Sequence, residues 1–367
     1  MKGTQIRFSR VNSQAFFKTL NKRVNAYFKE QNIQKTGNWK LHLKTLVMVS
    51  LFVVPYFVIL LMDIPVWTMF LLCIVMGVGM AGIGMNVMHD GNHDSYSSKK
   101  WVNKLMGSSM YFLAGNVYNW QVQHNVLHHT YTNIHGHDED LDAGRIIRFS
   151  EHSEWKKFHK FQHLYSIFLY GLLTINWVTT VDFKQTARYL KRKLSYGKFP
   201  NPTRQWATVV VGKILYIAVW IVTPLLVLDN VAWYYIIIGF LTMHYVAGLI
   251  LSVVFQLAHI IGDTETPMPN EEGTMKNSWA IHQLFTTTNF GTKSKFLSWF
   301  TGGLNHQVEH HIFPNISHVH YPKISKIIKE TAAEFELPYY EYKSMGTALT
   351  AHFKHLKNLG INPNIAS

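Results

Sequence analysis

Residues 66–93 read VWTMFLLCIVMGVGMAGIGMNVMHDGNH, and this stretch decides the architecture. Positions 66–87 carry no charge and supply the roughly 20 apolar residues that a helix needs to cross a bilayer. The run then ends on His89 and His93, four apart and therefore on one helical face. The preceding run, 45–62, is separated from it only by Asp63, Ile64 and Pro65, so the two predict a helical hairpin. A second pair of apolar runs, 207–228 and 231–255, flanks Asp229 and Asn230 in the same way. No Lys or Arg occurs in 46–98 or 214–275, although the chain of 367 residues has 35 of them.

The composition agrees, with 48% hydrophobic, 14% aromatic and only 15% charged residues, too apolar for an ordinary soluble domain. All the basic residues lie outside the two short turns, which predicts that both termini and the long central segment face the cytoplasm. The formal charge of +14 suits a face resting on anionic phospholipid, and no nucleic-acid partner is expected. The first forty residues show no signal-peptide core. The lone Cys73 excludes dithiol chemistry within the chain.

The expected fold is an all-α integral membrane protein: four transmembrane helices as two hairpins, with a cytoplasmic helical cap holding a dimetal site. The whole chain, 1–367, reads as one domain. Its parts are an amphipathic interfacial segment (1–44), the first hairpin (45–87), a cytoplasmic or interfacial segment (88–206), the second hairpin (207–255) and the cap (256–367). Residues 101–120 read as a helix lying under the membrane. Residues 164–181 are long enough to cross, but a crossing there would separate His129 from His259, so a shared site requires them to be interfacial or re-entrant. In the cap, Ile324, Ile327, Ile328 and Phe335 fit one helical face.

Two further clusters match the first: His124, His128 and His129, then Gln307, His310 and His311, with His259 ending the fourth apolar run. Imidazoles at these spacings are a metal-ligand pattern. Most of the other histidines lack pair spacing; His159 with His163, and His352 with His355, have it but sit in Lys-rich, surface-like segments. Eight imidazoles exceed the positions around one ion, so two metals are the economical reading. Zinc, copper and iron all accept such donors. There is no His-Glu-x-x-His motif for zinc hydrolysis, and iron is favoured where a hydrocarbon is attacked with activated oxygen. Asp90, Asp138, Asp140, Asp263 and Glu309 lie near the donors in sequence and are candidates to orient the rings. Trp120 is a candidate to line a substrate tunnel, and Arg145, Arg148, Arg188 and Arg192 to meet phosphate.

These boxes, extended as His124-Asn-Val-Leu-His-His-Thr-Tyr-Thr-Asn133 and Asn305-His-Gln-Val-Glu-His-His-Ile-Phe-Pro314, resemble the membrane fatty acid desaturases, whose boxes are HxxxH, HxxxHH and QxxHH or HxxHH. The likeness runs from the first span to about residue 330. The Gln is similar to that of the front-end (Δ5/Δ6-like) branch, which places Gln307 where a histidine ligand would stand and matches His259 to the extra histidine after the last span. The resemblance implies that His89, His93, His124, His128, His129, His259, His310 and His311 bind two irons, and that O2 and two electrons convert an acyl-CoA or a phospholipid acyl chain to its cis alkene. It also implies a multi-pass protein of a bacterial inner membrane or the endoplasmic reticulum. No His-Pro-Gly-Gly motif of a fused cytochrome b5 occurs, so the expected electron donor is a separate ferredoxin, rubredoxin or cytochrome b5. A diiron alkyl hydroxylase or ketolase of the same architecture is the nearest rival. A metal transporter fits less well, because transporters bind ions near the bilayer midplane.

Overall fold

The computed structural model describes residues 6–9, 13–141 and 144–361, and it is mostly helical. Four helices are long and apolar enough to cross a membrane: Trp39–Leu61, Val66–Asn92, Pro202–Val227 and Trp233–His259, with mean hydropathies of 2.2, 2.2, 2.2 and 2.1. Each coincides with an expected run, displaced at its ends by up to six residues. Lys157–Tyr170 and Leu173–Lys191 form a fifth, broken stretch, bent by 71°. The chain divides into two compact units.

One unit comprises 1–37, 127–166 and 254–367. Its core is built on the helix Ser13–Glu30, whose Phe16, Leu20, Val24 and Phe28 repeat every four residues and are buried. They pack with Leu284 of the helix Trp279–Thr286 and with Ile324 and Ile328 of the helix Tyr321–Glu334. Ile327 and Phe335 join the same cluster, as their spacing predicts. The amphipathic N-terminal helix is thus present, and its apolar face is covered by protein. Two short parallel pairings, Arg7–Phe8 with Thr274–Met275 and Thr288–Phe290 with Tyr340–Tyr342, tie the loops of this unit together.

The other unit comprises 38–126 and 167–253 and holds most of each span. Trp39–Leu61 and Val66–Asn92 approach closely because Gly79 has no side chain: a Cβ there would lie 2.7 Å from the backbone of Leu51 and Phe52. Gly77 allows the same approach to Met243, whose carbonyl oxygen would be 2.6 Å from a Cβ. Small residues that let backbones meet are how helices associate without a hydrophobic drive between them. Outward-facing positions stay apolar and open, Leu61 at 76% and Trp67 at 79% exposure, as lipid-facing side chains do. The expected helix over 101–120 is instead broken. Lys100–Gly107 passes into a 3-10 turn to Leu113, Ala114 takes a left-handed φ of 61°, and a new helix starts at Val117.

Candidate metal centre

All eight candidate histidines are buried, at 8% exposure or less. In the span-bearing unit, His89 and His93 end the second span, which widens to a π-helical turn at Gly84–Met88 immediately before them. His124 sits in a second π-helical stretch, Gln121–His128. Such turns use i→i+5 hydrogen bonds and recur at functional sites because they re-aim side chains. The ring centroids of His89, His93 and His124 are 4.6, 5.3 and 5.2 Å apart, and each ring can offer a nitrogen within 4.8 Å of the others'. Trp120 packs on all three, with its centroid 4.5 Å from that of His124. Asn92, inside the first box, joins this set to the helix of the second. Its side-chain oxygen accepts from Gln121 at 3.0 Å and its carbonyl from Asn125 at 2.8 Å.

In the other unit, His128, His259 and His311 form a second set with centroids 4.7 to 4.9 Å apart. The Nδ1 of each meets an oxygen. His128 donates to Asp138 at 3.0 Å, His259 to the Thr286 carbonyl at 3.2 Å and His311 to Gln283 Oε1 at 2.9 Å. In the neutral ring the proton sits on Nδ1 and Nε2 presents its lone pair, the tautomer a metal requires. The donor set therefore fits a metal ion. His129 and His310 adjoin it with their Nε2 atoms 3.0 Å apart, and His310 Nδ1 meets the Tyr321 hydroxyl at 3.2 Å. Gln307 is buried and approaches the His259 ring.

Asp138 is itself fixed by accepting from the backbone N–H of Asn133 and Asp140. Burial opposes charging of His128, but the Asp138 charge and hydrogen bond, with Asp140 at 3.6 Å, outweigh it and hold His128 above the ordinary histidine range. Of the other carboxylates, Asp90 stands 3.9 Å from His89. Glu309 accepts from Asn289, Ser325 and Tyr339, which anchors the short helix Gln307–Ile312. Asp263 interacts with Tyr342.

Several residues at the site carried no motif. Gln283 accepts from both His311 and Thr132, and the Trp279 indole donates to the His129 carbonyl at 2.9 Å. His282 meets the Thr132 carbonyl at 2.7 Å, and burial pushes it down to about 4. Their signal is the helical spacing of Trp279, His282, Gln283 and Thr286 on one short helix.

Arg145 is exposed, as a phosphate contact would be. Arg148 is not: it is 1% exposed, and its guanidinium donates to the carbonyls of Glu151, Ser153 and Leu359. Its donors are spent inside the fold, which removes it from the phosphate-binding candidates. The pairs set aside as surface-like are also partly buried. His159 and His352 are each 1% exposed, bonded to the carbonyls of Arg145 and Ile260.

Residues 65–343 match the sequence profile described as Fatty acid desaturase. The chain is 36% identical over 351 residues to the sn-1 linoleoyl-lipid 6-desaturase of Arthrospira platensis, covering 95% of this chain and 93% of that protein. It is 33% identical over 349 residues to the enzyme of the same name from Synechocystis, covering 94% and 95%. An acyl-lipid (8-3)-desaturase of Physcomitrium patens is 31% identical over 365 residues, covering 98% of this chain and 75% of its own length.

Proposed function

The chain belongs to the fatty acid desaturase family, and from that premise we propose that it is a membrane-bound front-end desaturase acting on lipid-linked acyl chains. His89, His93 and His124 hold one iron, and His128, His259 and His311 hold a second, with His129 and His310 completing the ligand set and Gln307 beside His259. Bound there, iron supplies the oxygen activation needed to break unactivated C–H bonds, which side chains alone cannot offer. Two adjacent methylenes each lose a hydrogen. Two electrons and two protons join these hydrogens in reducing O2 to two waters, and a cis alkene remains.

The observation that carries this reading is the set of three buried rings each keyed through Nδ1, since it fixes tautomer and aim together. The protein's own part is to hold the rings rigidly, keep water out through complete burial and present the acyl tail beside Trp120. The names of the relatives support a linoleoyl lipid as substrate and carbon 6 as the site of attack, over acyl-CoA. The hydropathy and the segregation of Lys and Arg support two hairpins, with the histidine-bearing ends and the helical cap on the cytoplasmic side. Electrons come from a carrier of ferredoxin, rubredoxin or cytochrome b5 type.

The test is expression in a host that lacks the activity, supplied with linoleoyl lipid and an electron donor, with alkene positions mapped by mass spectrometry. A new double bond at carbon 6, absent with His128→Ala, is expected. A bond at carbon 5 instead would revise the position. An inserted oxygen without an alkene, or unchanged lipid from folded, iron-loaded protein, would reject desaturation.

A further inference from the structure

Lys213 lies in the third apolar helix, Pro202–Val227, where a charged side chain is costly and by default marks function. Its ammonium donates to the carbonyls of Ala114 and Trp177 and, at 2.5 Å, to Asp182 Oδ2, so all three of its protons are accounted for. Asp182 is 2% exposed. Stability alone does not call for such a pair, because well-packed apolar residues in its place are commonly as stable or more so.

What the pair does is visible on the far side of Asp182. Its Oδ1 accepts from Asn119 Nδ2 at 3.0 Å and its carbonyl from the same nitrogen at 2.9 Å. Thr186, one turn on, donates to Asn119 Oδ1 at 3.0 Å. Asn119 is wholly buried. Four residues along the same helix, Gln123 accepts from Gln185. The helix of the second histidine box is therefore gripped at 119 and 123 by the helix Asp182–Lys191.

Side chains on one rigid helical segment keep fixed angles to one another, so a grip on 119 and 123 fixes where 120 and 124 point. Those positions are Trp120 and His124, the ring that stacks on the His89, His93 and His124 set and one member of it. We propose that the Lys213–Asp182 pair, acting through Asn119, is a positioning device that sets the rotation of this helix and so aims Trp120 and His124 at His89 and His93. Lys213 locks the carboxylate in place from inside the span, and Asp182 passes that fixed point to the box. The consequence for metal binding rests on the ligand roles proposed above; the rotation itself does not.

Two readouts on the full-length protein separate these. With 5-fluorotryptophan incorporated, the 19F resonance of Trp120 is assigned by its loss in Trp120→Phe and reports the rotation without any metal. Cobalt(II) competition against a chelator reports the two metal equivalents. Asn119→Ala is expected to shift or broaden the Trp120 resonance and to weaken one cobalt equivalent by roughly 10- to 100-fold while sparing the other. Lys213→Met removes the ammonium that locks the Asp182 carboxylate and is expected to reproduce the shift of the Trp120 resonance and the weakened cobalt equivalent, which tests the pair directly. Thr186→Val removes one partner of Asn119 without touching a charge and gives a milder form of the same change, which serves should Asn119→Ala fail to fold. An unmoved Trp120 resonance in Asn119→Ala, or a Lys213→Met variant whose Trp120 resonance stays at the wild-type position, overturns the proposal. A wild type that binds no cobalt while the resonance moves as expected overturns the ligand roles and leaves the positioning device standing.

Discussion

In one unit His128, His259 and His311 are aimed by chemistry, each Nδ1 meeting an oxygen of Asp138, Thr286 or Gln283. In the other, His89, His93 and His124 are aimed by the helices that carry them, through π-helical turns, the packing of Trp120 and the links from Asn92 to Gln121 and Asn125. The contrast follows from surroundings. In the polar, loop-rich unit an oxygen meets each ring directly, whereas in the span-bearing unit the buried polar groups join helix to helix and set direction through helix rotation and packing. The first kind of site is sensitive to single atoms, the second to the shape of whole elements.

The largest expected effect would break this division outright. His89→Ala and His311→Ala should each abolish desaturation, yet each should remove only one of two irons, read by metal analysis of the purified protein. Loss of both irons from either variant would show that the two sets are not held separately. Next comes the polar framework of the first unit. Arg148→Ala strips three carbonyls of a buried charged donor, and a loss of about 3 kcal/mol in unfolding free energy is expected. Arg145→Ala, three residues earlier and exposed, should stay within about 0.5 kcal/mol. Equal effects would mean that the burial of Arg148 contributes nothing.

What could be read in the sequence divides along the same line. The spans were legible because hydropathy is additive along the chain, and the boxes because both partners of each pair lie within one helical turn. Asp138 could be named as a candidate because it lies only ten residues from His128 in sequence. Gln283 was not, because its partners Thr132 and His311 are 151 and 28 residues away and an amide on a short helix carries no motif. The helix Ser13–Glu30 showed its amphipathic face plainly, but the pattern is the same whether lipid or protein covers it; only the helices at 279–286 and 321–334 decide the matter. Arg148 misled for a related reason, since a guanidinium that binds carbonyls looks in sequence like one that binds phosphate. The π-helical turns had no signature: one extra residue per turn leaves hydropathy unchanged while redirecting His89 and His124.

A smaller effect sharpens the contrast between the two ways of aiming a ring. Asp138→Asn keeps an oxygen for His128 but removes the charge, and should weaken metal binding by roughly 10- to 100-fold, measured by chelator competition. Trp120→Phe keeps an aromatic surface over the other set and should change affinity less. The reverse order would show that packing, and not the hydrogen-bonded oxygen, is the stricter control.

The last effect concerns pH and is read in the polar unit. Burial holds His352 down to about 4 against an ordinary 6.5, opposed by its bond to the Ile260 carbonyl, so the native state keeps it neutral. Between pH 6.5 and about 4 the unfolded chain therefore binds the proton that the folded chain refuses. Stability from this group is complete above pH 6.5 and falls as the pH drops through that window, by up to about 1.4 kcal/mol per pH unit. His352→Gln retains an N–H for the Ile260 carbonyl but cannot titrate, so unfolding free energies measured from pH 7 to pH 4 should fall less steeply by this single-proton share. His282, also held at about 4, keeps part of the slope in the variant. An unchanged slope would show that His352 does not contribute to the acid sensitivity of this unit.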